Sequence, residues 1–227
     1  MDERLQKLLG IVVEDVIETG EPVGSQRLVD AHKLEVSPAT VRNWFAELES
    51  AGFIAQPHTS SGRIPTEKGY RLYVEEIMQR RPLAKRELTD LKNAAESQAE
   101  APRKVKAVAK MSAELAESAV VVGLGDADTF YTGLSHLFSQ PEFRDWQRMV
   151  DLGQILDRLD DVLLRVRQQQ FLVPTVLIGA DCPFGNACSS LMLTARDGTL
   201  FGLLGPLRMD YVHGIALLDA AKELLNA

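Results

Sequence analysis

A chain of 227 residues is long enough for two modest domains, each with its own core. Hydrophobic residues make up 45% and charged residues 25%, which excludes a disordered chain, and no apolar run reaches the roughly 18 residues of a membrane helix. The net charge is −7, and the first 80 residues hold 9 Lys+Arg against 13 Asp+Glu. That balance argues against a nonspecific nucleic-acid coat, so any charge for DNA must be concentrated locally.

In chain order, Leu5, Leu8, Leu9, Val12, Val13 and Val16 recur at helical spacing and predict an amphipathic helix over 3–19, ended by Gly20. A short helix follows at 25–33, with Ser25 as its expected N-cap. The next helix starts from Ser37 as N-cap and Pro38 at the first helical position; Val41, Phe45 and Leu48 share one face and Gly52 stops it. Phe53–Gln56 and Arg63–Pro65 read as two short strands around a loop of turn residues, and Thr66 caps a helix carrying Tyr70, Tyr73, Val74 and Ile77. Residues 80–117 are charged, alanine-rich and helix-prone, and they are expected to form a helical linker divided at Pro102. Its cluster Arg103, Lys104, Lys106 and Lys110 reads as a solvated face or as a phosphate contact.

The remaining 110 residues predict a strand at 119–124, one long amphipathic helix at 142–168, strands near 174–180, 188–196 and 199–205, and a closing helix from Tyr211 to Leu225. The expectation is therefore an α+β protein: a winged helix-turn-helix at 1–79, the linker at 80–117, and an α+β domain at 118–227.

The helix from Ser37 carries the function. A helix-turn-helix buries one face of its second helix and offers the other to the major groove. Ala39, Thr40, Arg42 and Asn43 lie in its first two turns; Arg can pair with guanine, Asn with adenine, and Ala or Thr can touch a thymine methyl. Ser37 at the helix N-terminus suits a phosphate, and Ser25, Gln26 and Arg27 are expected to grip the backbone. No acidic residue occurs from Phe53 to Thr66, so the loop with His58, Thr59, Ser60, Ser61 and Arg63 is the expected wing contact.

Three segments carry a family resemblance: Glu18–Ser25 (ETGEPVGS), Ser37–Asn43 (SPATVRN) and Gln56–Tyr70 (QPHTSSGRIPTEKGY). It resumes at Gly133-Leu134-Ser135, Ser139–Phe143 (SQPEF), Ile178-Gly179 and Gly205–Tyr211 (GPLRMDY). These segments resemble the heat-inducible transcription repressors of the HrcA family. The resemblance implies a repressor of chaperone genes that binds an inverted-repeat operator, called CIRCE, as a homodimer. It also implies a GAF-like second domain and dependence on the chaperonin GroEL. Family members are longer: between Val122 and Thr132, where this chain has nine residues, they carry part of the GAF-like sheet and an inserted dimerisation domain. The second domain is thus expected to be a reduced one. The apolar seam Leu88, Leu91, Ala95, Val105, Val108 and Leu115 becomes the candidate dimer surface.

Other classes have weaker signals. Gly123-Leu124-Gly125 is an incomplete dinucleotide fingerprint, and Asp126 and Asp128 read as a polar turn before a cation site. His32, His58, His136 and His213 are scattered without metal-ligand spacing, and Cys182 and Cys188 would need two further ligands for zinc. No nucleophile–base pattern stands out, so neither an enzyme nor a cofactor is expected. The runner-up is a winged-helix regulator that senses a small molecule. The start Met1-Asp2-Glu3-Arg4 lacks a signal-peptide pattern, and two cysteines suit reduced thiols, so a cytoplasmic location is expected.

Overall fold

Helix α1 (Glu3–Thr19) forms where the sequence places its apolar stripe: Asp2 caps it, Gly20 ends it at φ 69°, and Leu8, Leu9, Val12, Val13 and Val16 are buried. This computed structural model describes residues 1–59, 61–125 and 128–226, in two compact units, Met1–Gln79 and Arg80–Ala227. In the first unit, α2 spans Ser25–His32 and α3 spans Pro38–Ser50. Strands β1 (Ile54–Ala55) and β2 (Ile64–Pro65) pair antiparallel, with Ile54 opposite Pro65. Thr66 then caps α4 (Glu67–Leu72), which runs into a single π-helical turn at Tyr73–Ile77 and buries Tyr70 and Tyr73. One expectation changes here. The N-cap position of α2 is Gly24, and Ser25 is the first helical residue, which frees its hydroxyl for another helix.

The second unit opens with α5 (Lys85–Glu96) and α6 (Ala101–Ala116), which carries Pro102 in its first turn. Then come β3 (Ala119–Leu124), β4 (Asp128–Thr132), α7 (Leu134–Ser139), a 3₁₀ turn at Pro141–Arg144, α8 (Trp146–Leu156) and α9 (Leu159–Arg167). Strands β5 (Thr175–Ile178), β6 (Cys188–Thr194) and β7 (Leu200–Pro206) precede α10 (Tyr211–Leu225). The strands make one antiparallel sheet in the order β4-β3-β7-β6-β5.

Alternate residues of the strands serve two faces. Ala119, Val121, Met192, Leu200 and Leu204 pack with Phe143, Leu152, Leu163, Val166 and Phe184 from the α7–α9 side. Helices α6 and α10 lie on the sheet's other side, and α10 is buried almost all round. Gly214 permits that approach, since a Cβ there would sit 2.9 Å from Leu191. Arg208, in the turn before α10, pairs with Glu142 and donates to Gln140 Oε1 at 2.7 Å, which brings together two of the segments that carry the resemblance.

Three expectations are corrected by this unit. The stretch read as a linker folds into it: α5 and α6 pack on each other and on α10. Leu91, Ala95, Val105 and Val108 are consequently buried within the chain, with Leu88 and Leu115 half-buried, so this seam offers no surface for a second copy. The helix expected over 142–168 is broken at Asp157–Arg158, and Trp146, read as part of its apolar face, is 73% exposed. Strand β4 was not foreseen; its Thr-Phe-Tyr-Thr run follows so closely on β3 that it reads as a loop.

Candidate nucleic-acid interface

Helix α3 divides by burial. Val41, Phe45 and Leu48 face inward, while Ala39, Arg42, Asn43, Ala46 and Ser50 are exposed and share one face at helical spacing. Ala46 and Ser50 were absent from the sequence reading; their spacing of seven and eleven from Ala39 is the signal that would have found them. Ser37 caps the helix as expected: its Oγ accepts from the Thr40 amide at 3.1 Å. Pro38 needs no amide partner at this position. At the other end, Thr66 Oγ1 donates to Gly52 O at 2.7 Å and Lys68 Nζ to Ala51 O at 2.9 Å. A cation at a helix C-terminus is favourable, and these bonds fix the end of α3 to the start of α4.

The remaining expected residues separate into two groups. Arg42 and Ser25 are brought together, with Arg42 Nε donating to Ser25 Oγ at 3.3 Å, so the arginine is oriented across α2 and α3. Asn43 is exposed beside it. His58 and Thr59 are exposed at the hairpin tip and Ser61 is half-buried; Ser60 lies outside the described residues, as does Asp126. The tip is internally bonded: Gln56 Nε2 donates to Thr59 O and Ser61 O at 3.0 Å each, and Ser61 Oγ donates to His58 O at 2.7 Å.

Arg27, Gln26 and Arg63 are engaged within the unit. Arg27 lies 3.1 Å from Asp15, whose side chain is 7% exposed on the buried side of α1, and 3.8 Å from Glu21. His32 approaches the same carboxylate at 3.6 Å. Gln26 donates to Asp30 at 3.0 Å. Arg63 places Nε at 3.2 Å and Nη2 at 3.0 Å from Glu49 Oε2. Neither Asp15 nor Glu49 stands out in the sequence as a partner, because each lies on a different element from the arginine it pairs with.

In the second unit, Cys182 and Cys188 are buried free thiols. Burial pushes Cys182 up to about 11, against hydrogen bonds with the Phe184 backbone and Ser190 that lower it. Burial, with the neighbouring Cys182, pushes Cys188 up to about 12. Such thiols are poor nucleophiles. A cavity of about 110 Å³ between Gly123, Thr129, Asp160 and Arg167 is well under the ~300 Å³ of a small ligand site, and the space of about 660 Å³ beside Arg196, Asp219, Lys222, Glu223 and Asn226 is an open, charged surface groove.

Fold and site define a two-unit α+β protein whose first unit presents the exposed face of a helix bonded at both ends. The family model described as "HrcA protein C terminal domain" matches residues 73–215, well over half of the chain. The heat-inducible transcription repressor HrcA of Rhodococcus jostii is 38% identical over 179 residues, covering 73% of this chain and 50% of that protein. The Thermobifida fusca protein of the same name is 54% identical over 87 residues, 38% of this chain and 25% of that relative. A crystal structure of a hypothetical protein shares the fold at a TM-score of 0.75 and 17% identity, covering all of this chain and 98% of that one. The chain belongs to the HrcA family, and it spans half or less of the length of these HrcA relatives.

Proposed function

We propose that the chain is a transcription repressor of heat-shock genes, a regulator rather than an enzyme, and that its first unit is a winged helix-turn-helix whose α3 reads operator DNA. The observation that carries this reading is the face Ala39–Arg42–Asn43–Ala46, exposed opposite a fully apolar face and held at both ends. Ser25, Ser37, Thr40, His58, Thr59 and Ser61 flank it as backbone contacts, and the β1–β2 hairpin is the wing. The relatives' printed name supports the assignment to heat-inducible repression.

The second unit is the regulatory part, with a reduced GAF-like layout. An inverted repeat, the CIRCE-like operator, requires two recognition helices about one turn of DNA apart or a multiple of it, so the protein acts as a homodimer. GroEL is its activity partner, and the cytoplasm its place of action. No helix among the described residues is long and apolar enough to cross a membrane. The test is a gel shift of the full chain on an inverted-repeat duplex against a scrambled duplex of equal length, with and without purified chaperonin. Equal affinity for both duplexes overturns the reading of α3.

A further inference from the structure

The β1–β2 hairpin is too short to orient itself. Each strand contributes two residues to the ladder, and an isolated hairpin is marginal in water even when longer. Its position must come from contacts at its base, and three of them converge on Gly62 and Arg63.

The first is backbone pairing with the segment before α2. Val23 N donates to Arg63 O, and Arg63 N to Val23 O, both at 2.9 Å. The second is the missing side chain at residue 62, where a Cβ would lie 2.4 Å from the carbonyl atoms of Val23. The third is the guanidinium itself. Its two contacts to Glu49 Oε2 come from a side chain only 21% exposed. Glu49 stands in the last turn of α3, where a carboxylate opposes the helix dipole and no basic residue of the helix offsets it. Lys68 supplies one outside cation to the carbonyls at this helix end, and Arg63 is the one that pairs with the Glu49 carboxylate itself.

We infer that Glu49 is a positioning residue: through Arg63 it fixes the hairpin to the end of α3, and Arg63 serves DNA binding by this tie and not by touching phosphate. The inference rests on the DNA-binding reading above and assigns a role to Glu49 within it. The Arg63 side chain is only 21% exposed, and two of its nitrogens are already committed to the more exposed Glu49 carboxylate, so a phosphate would have to displace that pair. Because the tip loop is bonded to itself, moving its base moves the whole tip.

The test compares Glu49→Gln, Arg63→Ala, the double variant, and the exchange Glu49→Arg with Arg63→Glu, all in the full chain. The probe is the inverted-repeat duplex of the gel shift above, titrated at several salt concentrations. Each single variant weakens binding about tenfold, the double variant no further, and the slope of affinity against salt stays unchanged. The exchanged pair restores most of the affinity, a rescue that mere loss of folding would not give. A slope shallower by about 0.9 in Arg63→Ala, or failure of the exchanged pair with a normal fold, makes Arg63 a phosphate contact and overturns the inference. Higher affinity in Glu49→Gln overturns it too, since Glu49 would then compete with DNA. Hydrogen exchange of the amides in 54–65, without DNA, separates this result from the parent reading. It rises in each single variant and falls back in the exchanged pair. That pattern without any DNA binding by the unmodified chain would sink the DNA reading and leave the tie; unchanged exchange would sink the tie itself.

Discussion

Replacing Gly62 by Ala sets two effects of opposite sign against each other. Gly→Ala in an ordinary backbone conformation stabilises by about 0.4–1 kcal/mol, because the unfolded chain loses freedom, and Gly62 is not among the residues with positive φ. The new Cβ, however, would lie 2.4 Å from both the carbonyl carbon and oxygen of Val23 and 2.7 Å from its nitrogen. All three are backbone atoms, so no side-chain rotation relieves them. The two Val23–Arg63 hydrogen bonds must lengthen or break, at about 1 kcal/mol each, and the crowding adds about 1–3 kcal/mol. Sterics win, and Gly62→Ala should destabilise the first unit by about 2–4 kcal/mol after the entropic gain is subtracted. For a unit of this size, 1 kcal/mol shifts Tm by about 4–8 °C, so a fall of at least about 8 °C is expected. The chain has two tryptophans, Trp44 in the first unit and the exposed Trp146 in the second. In a Trp146→Phe background, Trp44 fluorescence during unfolding reports the first unit alone. A Gly62→Ala variant as stable as its parent would refute the close approach of Gly62 to Val23, and with it the account of how the hairpin is anchored.

Arg42→Ala and Asn43→Ala should each cost about 1–3 kcal/mol of specific operator binding and leave circular dichroism unchanged; full affinity in both would remove α3 from the interface. Arg27→Ala should act on stability instead, lowering that of the first unit by about 1–3 kcal/mol, because the buried Asp15 loses its nearest cation. A urea midpoint equal to the parent's would show that His32 alone satisfies that carboxylate. The thiols give a pH prediction. Their values are raised in the folded chain, to about 11 and about 12 against a reference of 9.0. The unfolded chain therefore releases these protons first, and stability should fall as pH rises from about 9 towards 11–12. Below pH 9 neither thiol should react with a bulky disulfide reagent until the second unit unfolds, and rapid labelling of the native chain at pH 8 would contradict their burial.

How far the sequence could be read depended on the distance between interacting residues. Ser37, Pro38 and the spacing of Val41, Phe45 and Leu48 set α3 within a dozen residues, and the structure has it where they put it. The same holds for α1, and for α10 from Tyr211 to Leu225. The polar face of α3 was legible for the same reason, apart from Ala46 and Ser50, whose small side chains carry no chemical signal of their own. What was hidden is the use of charges across the chain. Arg27 and Arg63 read as free cations because Asp15 and Glu49 lie 12 and 14 residues away on other elements. The seam of α5 and α6 read as unpartnered because its cover, α10, comes about a hundred residues later. The break at Asp157–Arg158 escaped notice because apolar periodicity continues across it, from Leu152 to Leu159 and Leu163.

These internal pairings bear on how, under the proposed function, an acidic first unit would read DNA. If Arg27 and Arg63 were free, nonspecific attraction to phosphate could supply much of the affinity and little discrimination. With Arg27 held by Asp15 and Arg63 by Glu49, the cation left at the centre of the polar face is Arg42, and even it is steered by Ser25. On that reading few free cations are left to neutralise phosphates, so counterion release would contribute little. Under the proposed function, affinity would come instead from base edges met by Arg42 and Asn43, from the amides at the α3 N-terminus, and from the doubling that a two-fold operator provides. On the proposed function, a unit built this way should bind weakly to arbitrary DNA and tightly only where two half-sites match, and competition of the operator complex by mixed-sequence duplex checks it: displacement at equal concentration would refute it.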